Sequence, residues 1–147
     1  MKKGKFFGLD IPFIDLLKAK EEQWEKGRAV SSVEVRPELH NSWEYAHGGV
    51  VMTLLDVTMG SAARSMVPHA AGVVTVDMTV SFIAAGHGRL VVEGRVLRSG
   101  ASIIFCEGEM RDEAGELVAK AMASFKVKRK VSTTEAEAGT SPGETAA

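Results

Sequence analysis

The sequence predicts an α+β domain, with an antiparallel sheet of about five strands wrapped around one long central helix and a short helix ahead of it. Three observations predict it. Residues 48–67, "GGVVMTLLDVTMGSAARSMV", carry apolar side chains around nearly the whole circumference of a helix, the pattern of a helix surrounded by protein. Residues 72–128 show four alternating segments separated by turn signals, with almost no helical period. The last of these sets Ala119, Ala121, Ala123, Phe125 and Val127 on one face against Lys120, Ser124, Lys126 and Lys128, and a row of alanines lets a helix approach closely.

Each element follows from local chemistry. "IPFIDLLKAKEEQWEKG" places Phe13, Leu16, Leu17 and Lys20 at helical spacing and ends in Gly27, which predicts a short amphipathic helix with Lys18, Glu21, Glu22 and Glu25 on its solvated face. Arg28 to Arg36 alternates, with Val33 and Val35 on one side, and Pro37 terminates it as a first strand. The central helix runs from Gly48 to Val67 and Pro68 closes it. "GVVTVDMTVSFIA" sets Val74, Val76, Met78, Val80 and Phe82 opposite Thr75, Asp77, Thr79 and Ser81. "RLVVEGRVLR" and "SIIFCEGEMRD" are joined by "SGA", and "DEAG" leads into "ELVAKAMASFKVKRK", so these strands form a meander of hairpins. The expected organisation is a helical segment over 1–27, one domain over 28–130, and a tail over 131–147 too poor in apolar residues to offset its ordering entropy, hence disordered.

Composition narrows the function classes. With 147 residues, 45% of them hydrophobic, the chain can bury one core. Eighteen basic against 19 acidic residues leave a formal charge of -1, no electrostatic footprint for nucleic acid or an anionic membrane. Cys106 is the single cysteine, and the N-terminus lacks a signal-peptide apolar core, so a reducing, cytoplasmic setting is expected. No apolar run approaches the ~20 residues of a membrane span.

Within the central helix, two features work against stability and therefore point to chemistry. Gly48 and Gly49 each cost a helix on the order of 1 kcal/mol relative to alanine, and Asp56 sits among Val, Met and Leu, where a carboxylate must be desolvated. At the first turn of a helix the backbone N–H groups lack intrahelical partners, and glycine leaves them uncovered for a carbonyl or oxyanion. Tight packing on a strand is the alternative for the glycines. Burial of Asp56 is expected to raise its pKa toward that of a general base or nucleophile, the alternative being a structural aspartate paired with an arginine or backbone donor. Asn41 can add a side-chain donor, Thr75 can hold a water, and His47 can fix the loop, contact substrate or cap the helix.

Gly48 and Asp56 cannot serve one carbonyl within a chain. Eight residues at ~1.5 Å rise separate them by ~12 Å along the axis, against a hydrogen-bond reach of ~3 Å. A composite site needs two antiparallel helices across a symmetric dimer, with two equivalent sites. His40, His47, His69 and His87 offer no metal-site spacing, and neither a nucleophile elbow nor a phosphate-binding glycine loop occurs, so no metal and no cofactor is expected.

The pattern N-x5-HGG-x7-D, formed by Asn41, His47, Gly48, Gly49 and Asp56 and followed by "VVTVDMTVSFIAA" and "GELVAKAMASF", resembles the hotdog-fold acyl-CoA thioesterases, in particular the branch that includes the phenylacetate-pathway enzymes. The resemblance covers roughly residues 28–128. It implies that two subunits pair into one continuous sheet, that dimers associate further into tetramers, and that the substrate is an acyl-CoA cleaved to acid and CoA. It also implies that Gly48 or Gly49 N–H and Asn41 polarise the thioester carbonyl while Asp56 of the partner subunit acts with Thr75. His47 fits the pattern. CoA phosphates in such a family lie near basic groups, for which Arg64, Arg98, Lys128 and Arg129 are candidates, and Trp43 and Tyr45 suit an aromatic acyl group or simple packing. A non-catalytic acyl-CoA binder or sensor on the same fold is the second expectation, and a hydratase or dehydratase the third.

Overall fold

In the computed structural model, which describes residues 4–131, the chain is built around one helix, α2, Gly48–Ser65. Its 18 residues span about 27 Å at ~1.5 Å rise. Val50, Val51, Leu54, Leu55, Met59, Ala62 and Ala63 on this helix are buried against a six-stranded sheet. The strands are β1 (Lys20–Glu25), β2 (Arg28–Glu34), β3 (Gly72–Phe82), β4 (Arg89–Ser99), β5 (Ile103–Arg111) and β6 (Leu117–Lys128), ordered β1-β2-β4-β5-β6-β3 with every pairing antiparallel. No helix among the described residues is long and apolar enough to cross a membrane.

The helix meets the sheet most closely at two glycines. Gly94 on β4 and Gly108 on β5 face each other in register. A Cβ on Gly94 would lie 2.9 Å from the Cα and N of Met59, and one on Gly108 would lie 3.0 Å from Met59 Cγ. Ala119, Ala121 and Ala123 of β6 are buried as the alternation predicts, yet the tightest approach is under β4 and β5.

Three expectations are corrected. The N-terminal helix α1 spans only Pro12–Leu17, because Lys18 turns into the left-handed region at φ 57, and residues 20–25 leave the helix to form β1. Gly27, with φ 80, then carries the chain into β2, so the expected boundary at residue 27 falls inside a β-hairpin and the sheet has six strands rather than five. Second, β3 does not keep one phase. Its register on β6 shifts between Thr75 and Asp77, leaving Val76 as a bulge. Thr75 pairs with Phe125, which is buried, and Met78 pairs with buried Ala123, so Thr75 and Met78 share the helix-facing side while Val74 faces out.

Third, α2 is not enclosed all round. Gly49 and Met52 are exposed and Thr53 and Asp56 half-exposed, a stripe at i, i+3, i+4 and i+7 that the chain's own sheet leaves open. Strand β3, at the edge of the sheet, likewise exposes Val74, Val76 and Phe82. The expected tail falls almost entirely on residues 132–147, outside the described residues.

Candidate active site

The first turn of α2 is capped by the residue before it. His47 takes an extended backbone conformation, φ -59 and ψ 139, and its Nδ1 accepts the Gly49 N–H at 2.8 Å. Its carbonyl accepts the N–H groups of Val50 and Val51 at 2.9 and 3.2 Å. Gly48 N–H is thus the first-turn donor left with no acceptor among the described residues. Of the two glycines that the sequence singles out, only Gly48 keeps a donor to offer, because Gly49 spends its own on the cap.

The loop ahead of the helix is folded around Asn41. Its Oδ1 accepts the N–H of Trp43 at 2.9 Å and of Tyr45 at 3.1 Å, which fixes the amide orientation and leaves Nδ2 as the side chain's donor. Asn41 and Gly48 border one recess of about 340 Å³, together with Trp43, Tyr45, Val51 and Phe82. Trp43 is 78% exposed at its mouth.

Asp56 lies elsewhere on the helix. Burial was expected of it, but it is half-exposed because it falls in the open stripe of α2. Thr75 Oγ1 donates to Asp56 Oδ1 at 2.6 Å, a bond that depends on the bulge at Val76 turning Thr75 toward the helix. A charge-assisted bond of this kind orients one carboxylate oxygen and leaves the other for a second partner. Asp56 and Thr75 border a recess of about 150 Å³ with Gly60, Ser61, Arg64 and Val73, and none of these residues borders the Gly48 recess. The chain therefore carries a pair of donors at one place and an oriented carboxylate at another, as the ~12 Å axial separation requires.

The remaining candidates separate in the same way. Arg64 is half-buried, donates to the Phe7 carbonyl at 2.7 Å and lies 5.2 Å from the ring centroid of Trp24, and burial lowers its pKa from the usual arginine value. Lys128 borders a larger recess with Arg64, whereas Arg129 borders a different one with His69 and Lys130, and Arg98 is exposed near the end of β4. Among the described residues no three His, Cys, Asp or Glu side chains come together as a metal site. The sequence reading did not find the contribution of residues 6–11, which wall the Asp56 side through Leu9 and Ile11; an isolated "FFGLDI" gives no signal of what it will pack against.

Comparison with known proteins gives a consistent picture. A family model described as "Thioesterase superfamily" matches residues 44–119, just over half of the chain. A protein of Saccharolobus solfataricus named "Putative esterase" is 35% identical over 122 residues, covering 82% of this chain and 81% of the relative. Among solved structures, AziG of S. sahachiroi superposes with a TM-score of 0.77 at 27% identity, over 81% of this chain and 98% of that one. The smu.793 protein of Streptococcus mutans, solved bound to acetyl CoA, superposes with a TM-score of 0.71 at 25% identity, over 76% and 90%.

Proposed function

As the chain belongs to the thioesterase superfamily and has its hotdog fold, we propose that it hydrolyses acyl-CoA thioesters to free acid and CoA at sites shared between two subunits. The observation that carries this reading is the division of the machinery, with Gly48 N–H and Asn41 on one recess and the Thr75-oriented Asp56 on another. CoA as the leaving group draws support from the acetyl CoA held by the similar Streptococcus mutans protein. The Asn41, His47, Gly48, Gly49 and Asp56 motif groups the chain with the phenylacetate-pathway branch.

A second copy completes the site with simple geometry. The exposed edge of β3 pairs with its own copy antiparallel about a two-fold axis near Met78, which extends the sheet and sets the Thr75 end of one strand opposite the Phe82 end of the other. Phe82 stands beside Gly48, since a Cβ there would lie 3.4 Å from its ring. The same operation lays the open stripe of one α2 against the other and brings Asp56 of one subunit to the glycine end of its partner. Dimers associate further as a dimer of dimers.

In the reaction, Gly48 N–H at the positive end of the helix dipole and Asn41 Nδ2 polarise the thioester carbonyl. Thr75 holds one oxygen of Asp56, and the other takes a proton from water as the hydroxyl oxygen bonds to the carbonyl carbon. Collapse of the oxyanion breaks the carbon–sulfur bond, and the departing thiolate recovers the proton. Water is the only co-reactant, and no metal or redox cofactor takes part.

Free-thiol release from short, long and aromatic acyl-CoAs tests the reading, with wild type and Asp56→Asn side by side. Turnover abolished by the substitution supports it. Tight acyl-CoA binding with no thiol release from any member would make the protein a binder.

A further inference from the structure

Resting on that reading, we propose that the acyl group lies in the trough running from Asp56 along α2 to Pro68, and that Arg64 selects an acyl chain ending in a carboxylate. The recess around Asp56 and a larger one of about 580 Å³ share Leu9, Arg64 and Val73 as lining, so they adjoin along α2. Val67, Pro68, Ala70 and Ala71 line its far part. Asp56, Gly60 and Arg64 follow one another at four-residue steps on one face of the helix. Gly60 stands midway and borders the Asp56 recess, and a Cβ there would lie 3.3 Å from the Phe125 ring, so the glycine makes room for that ring at the expense of helix stability.

The two ends of a thioester leave the reaction centre in different directions. One direction, past Gly48, opens beside the exposed Trp43 and Tyr45, where a long polar leaving group can reach solvent. The other, past Asp56, enters the apolar trough, which suits the acyl part. The trough is not uniformly apolar. Arg64 borders both of its parts, is half-buried, and makes no ion pair with a carboxylate among the described residues, while Lys128 adds a second cation at the rim. Glu25, also on the trough, is paired with Arg28. A desolvated cation without a counter-charge favours an anionic ligand group. Arg64 lies eight residues, or ~12 Å of helix axis, beyond Asp56, a span that suits a medium-length chain.

The test compares kcat/KM for succinyl, adipyl, suberyl and sebacyl thioesters with their butyryl, hexanoyl, octanoyl and decanoyl counterparts. Each is made both as the CoA thioester and as the N-acetylcysteamine thioester, which lacks the nucleotide. Wild type, Arg64→Met and Arg64→Lys are assayed in the full chain. Wild type is expected to prefer the carboxylate-ended member of the medium-length pairs. Arg64→Met should lower that preference by at least about tenfold in both thioester series, and Arg64→Lys should retain part of it.

A purely structural role for Arg64, holding Phe7 and Trp24, would depress both members of a pair together and leave the ratio unchanged, which overturns the proposal. An effect seen with CoA thioesters but absent from the N-acetylcysteamine series would assign Arg64 to the nucleotide phosphates and overturn it as well. Should no thioester release thiol, the hydrolase reading falls, and the same ratio taken from equilibrium binding of the two CoA thioesters decides the Arg64 assignment separately.

Discussion

Thr75 on β3 donates a 2.6 Å hydrogen bond to Asp56 on α2, and it faces the helix only because Val76 is bulged out of the strand. The bond links two residues 19 apart in the chain, on different elements. Removing the hydroxyl should therefore act on the carboxylate's orientation rather than on the fold. Thr75→Val is expected to lower kcat for acyl-CoA hydrolysis by roughly ten- to a hundredfold, in line with about 1.5–3 kcal/mol for a hydrogen bond to a charged group, while Thr75→Ser keeps most of the activity. Steady-state kinetics on the two variants decides this. Unchanged kcat in Thr75→Val would show that the hydroxyl does not orient the carboxylate.

Gly48 and Gly49, adjacent in the chain, should answer differently to the same substitution. A Cβ on Gly49 would lie 3.1 Å from His47 Nδ1 and push the imidazole off its cap, so Gly49→Ala should lose about 1 kcal/mol of stability as well as activity. A Cβ on Gly48 meets only Phe82, at 3.4 Å, in ordinary contact, so Gly48→Ala should unfold near the wild-type midpoint yet turn over more slowly as its N–H is covered. Denaturant titration beside kinetics separates the two. Parallel losses at both positions would mean that the glycines serve packing alone.

Much of the fold was legible because the dominant signals are periodic. The apolar run of α2, the hairpins of β4 to β6 and the alanine face of β6 all follow from side-chain spacing. Strand β1 was not legible, because "KEEQWE" is exposed on both faces and carries no burial pattern; its pairing to β2 and the Trp24 Nε1 bond to the Ser61 carbonyl at 2.9 Å hold it instead. The bulge at Val76 was hidden for a similar reason, since valines on both sides of Thr75 suit either phase. Of the site residues, Gly48, Gly49 and Asp56 stood out as chemically odd choices for their positions, whereas Asn41 and Thr75 read as ordinary loop and strand residues and took their weight from the family resemblance. The capping role of His47 is a matter of rotamer, and the spacing left it open between capping, loop-fixing and substrate contact.

The closest contact between helix and sheet should be the least forgiving. At Gly94 an added Cβ would meet backbone atoms of Met59 and Thr58 at 2.9–3.0 Å, and backbone cannot turn aside as a side chain can. Gly94→Ala is expected to cost about 1–3 kcal/mol or more by forcing α2 off the sheet. Gly115→Ala, with no atom within 4 Å of its Cβ but with φ 81, controls for backbone strain alone. Thermal unfolding of the pair checks this, and a smaller loss at Gly94 than at Gly115 would contradict the close-contact account.

Cys106 supplies a pH dependence unrelated to catalysis. It is fully buried on β5, its Sγ lies 3.6 Å from the Met59 carbonyl, and burial pushes its thiol pKa up to about 12 from the usual 9.0. The folded state therefore holds this proton more tightly than the unfolded state. Its contribution is fully present below pH 9.0 and is lost as pH rises toward about 12, at no more than about 1.4 kcal/mol per pH unit. Stability of wild type minus that of Cys106→Ala should fall across that window and stay level below it. A level difference throughout would mean that the thiolate is accommodated in the core.

The shared site makes a prediction that no single-chain site can satisfy. Asp56→Asn leaves the Gly48 recess intact, and Gly48→Val leaves the Asp56 recess intact, since the two are lined by different residues. Each variant alone should lose nearly all turnover. In a hybrid dimer, purified through two different affinity tags after co-expression, one site joins the sound Gly48 of the first chain to the sound Asp56 of the second, and the other joins the two defects. One of two sites is restored, so the hybrid should show about half of wild-type kcat per dimer. If each chain instead brought its own Gly48 and Asp56 together, every site in the hybrid would carry one defect and activity would stay at the level of the parents. Recovery would establish that each site joins the Gly48 end of one α2 to Asp56 of the other subunit.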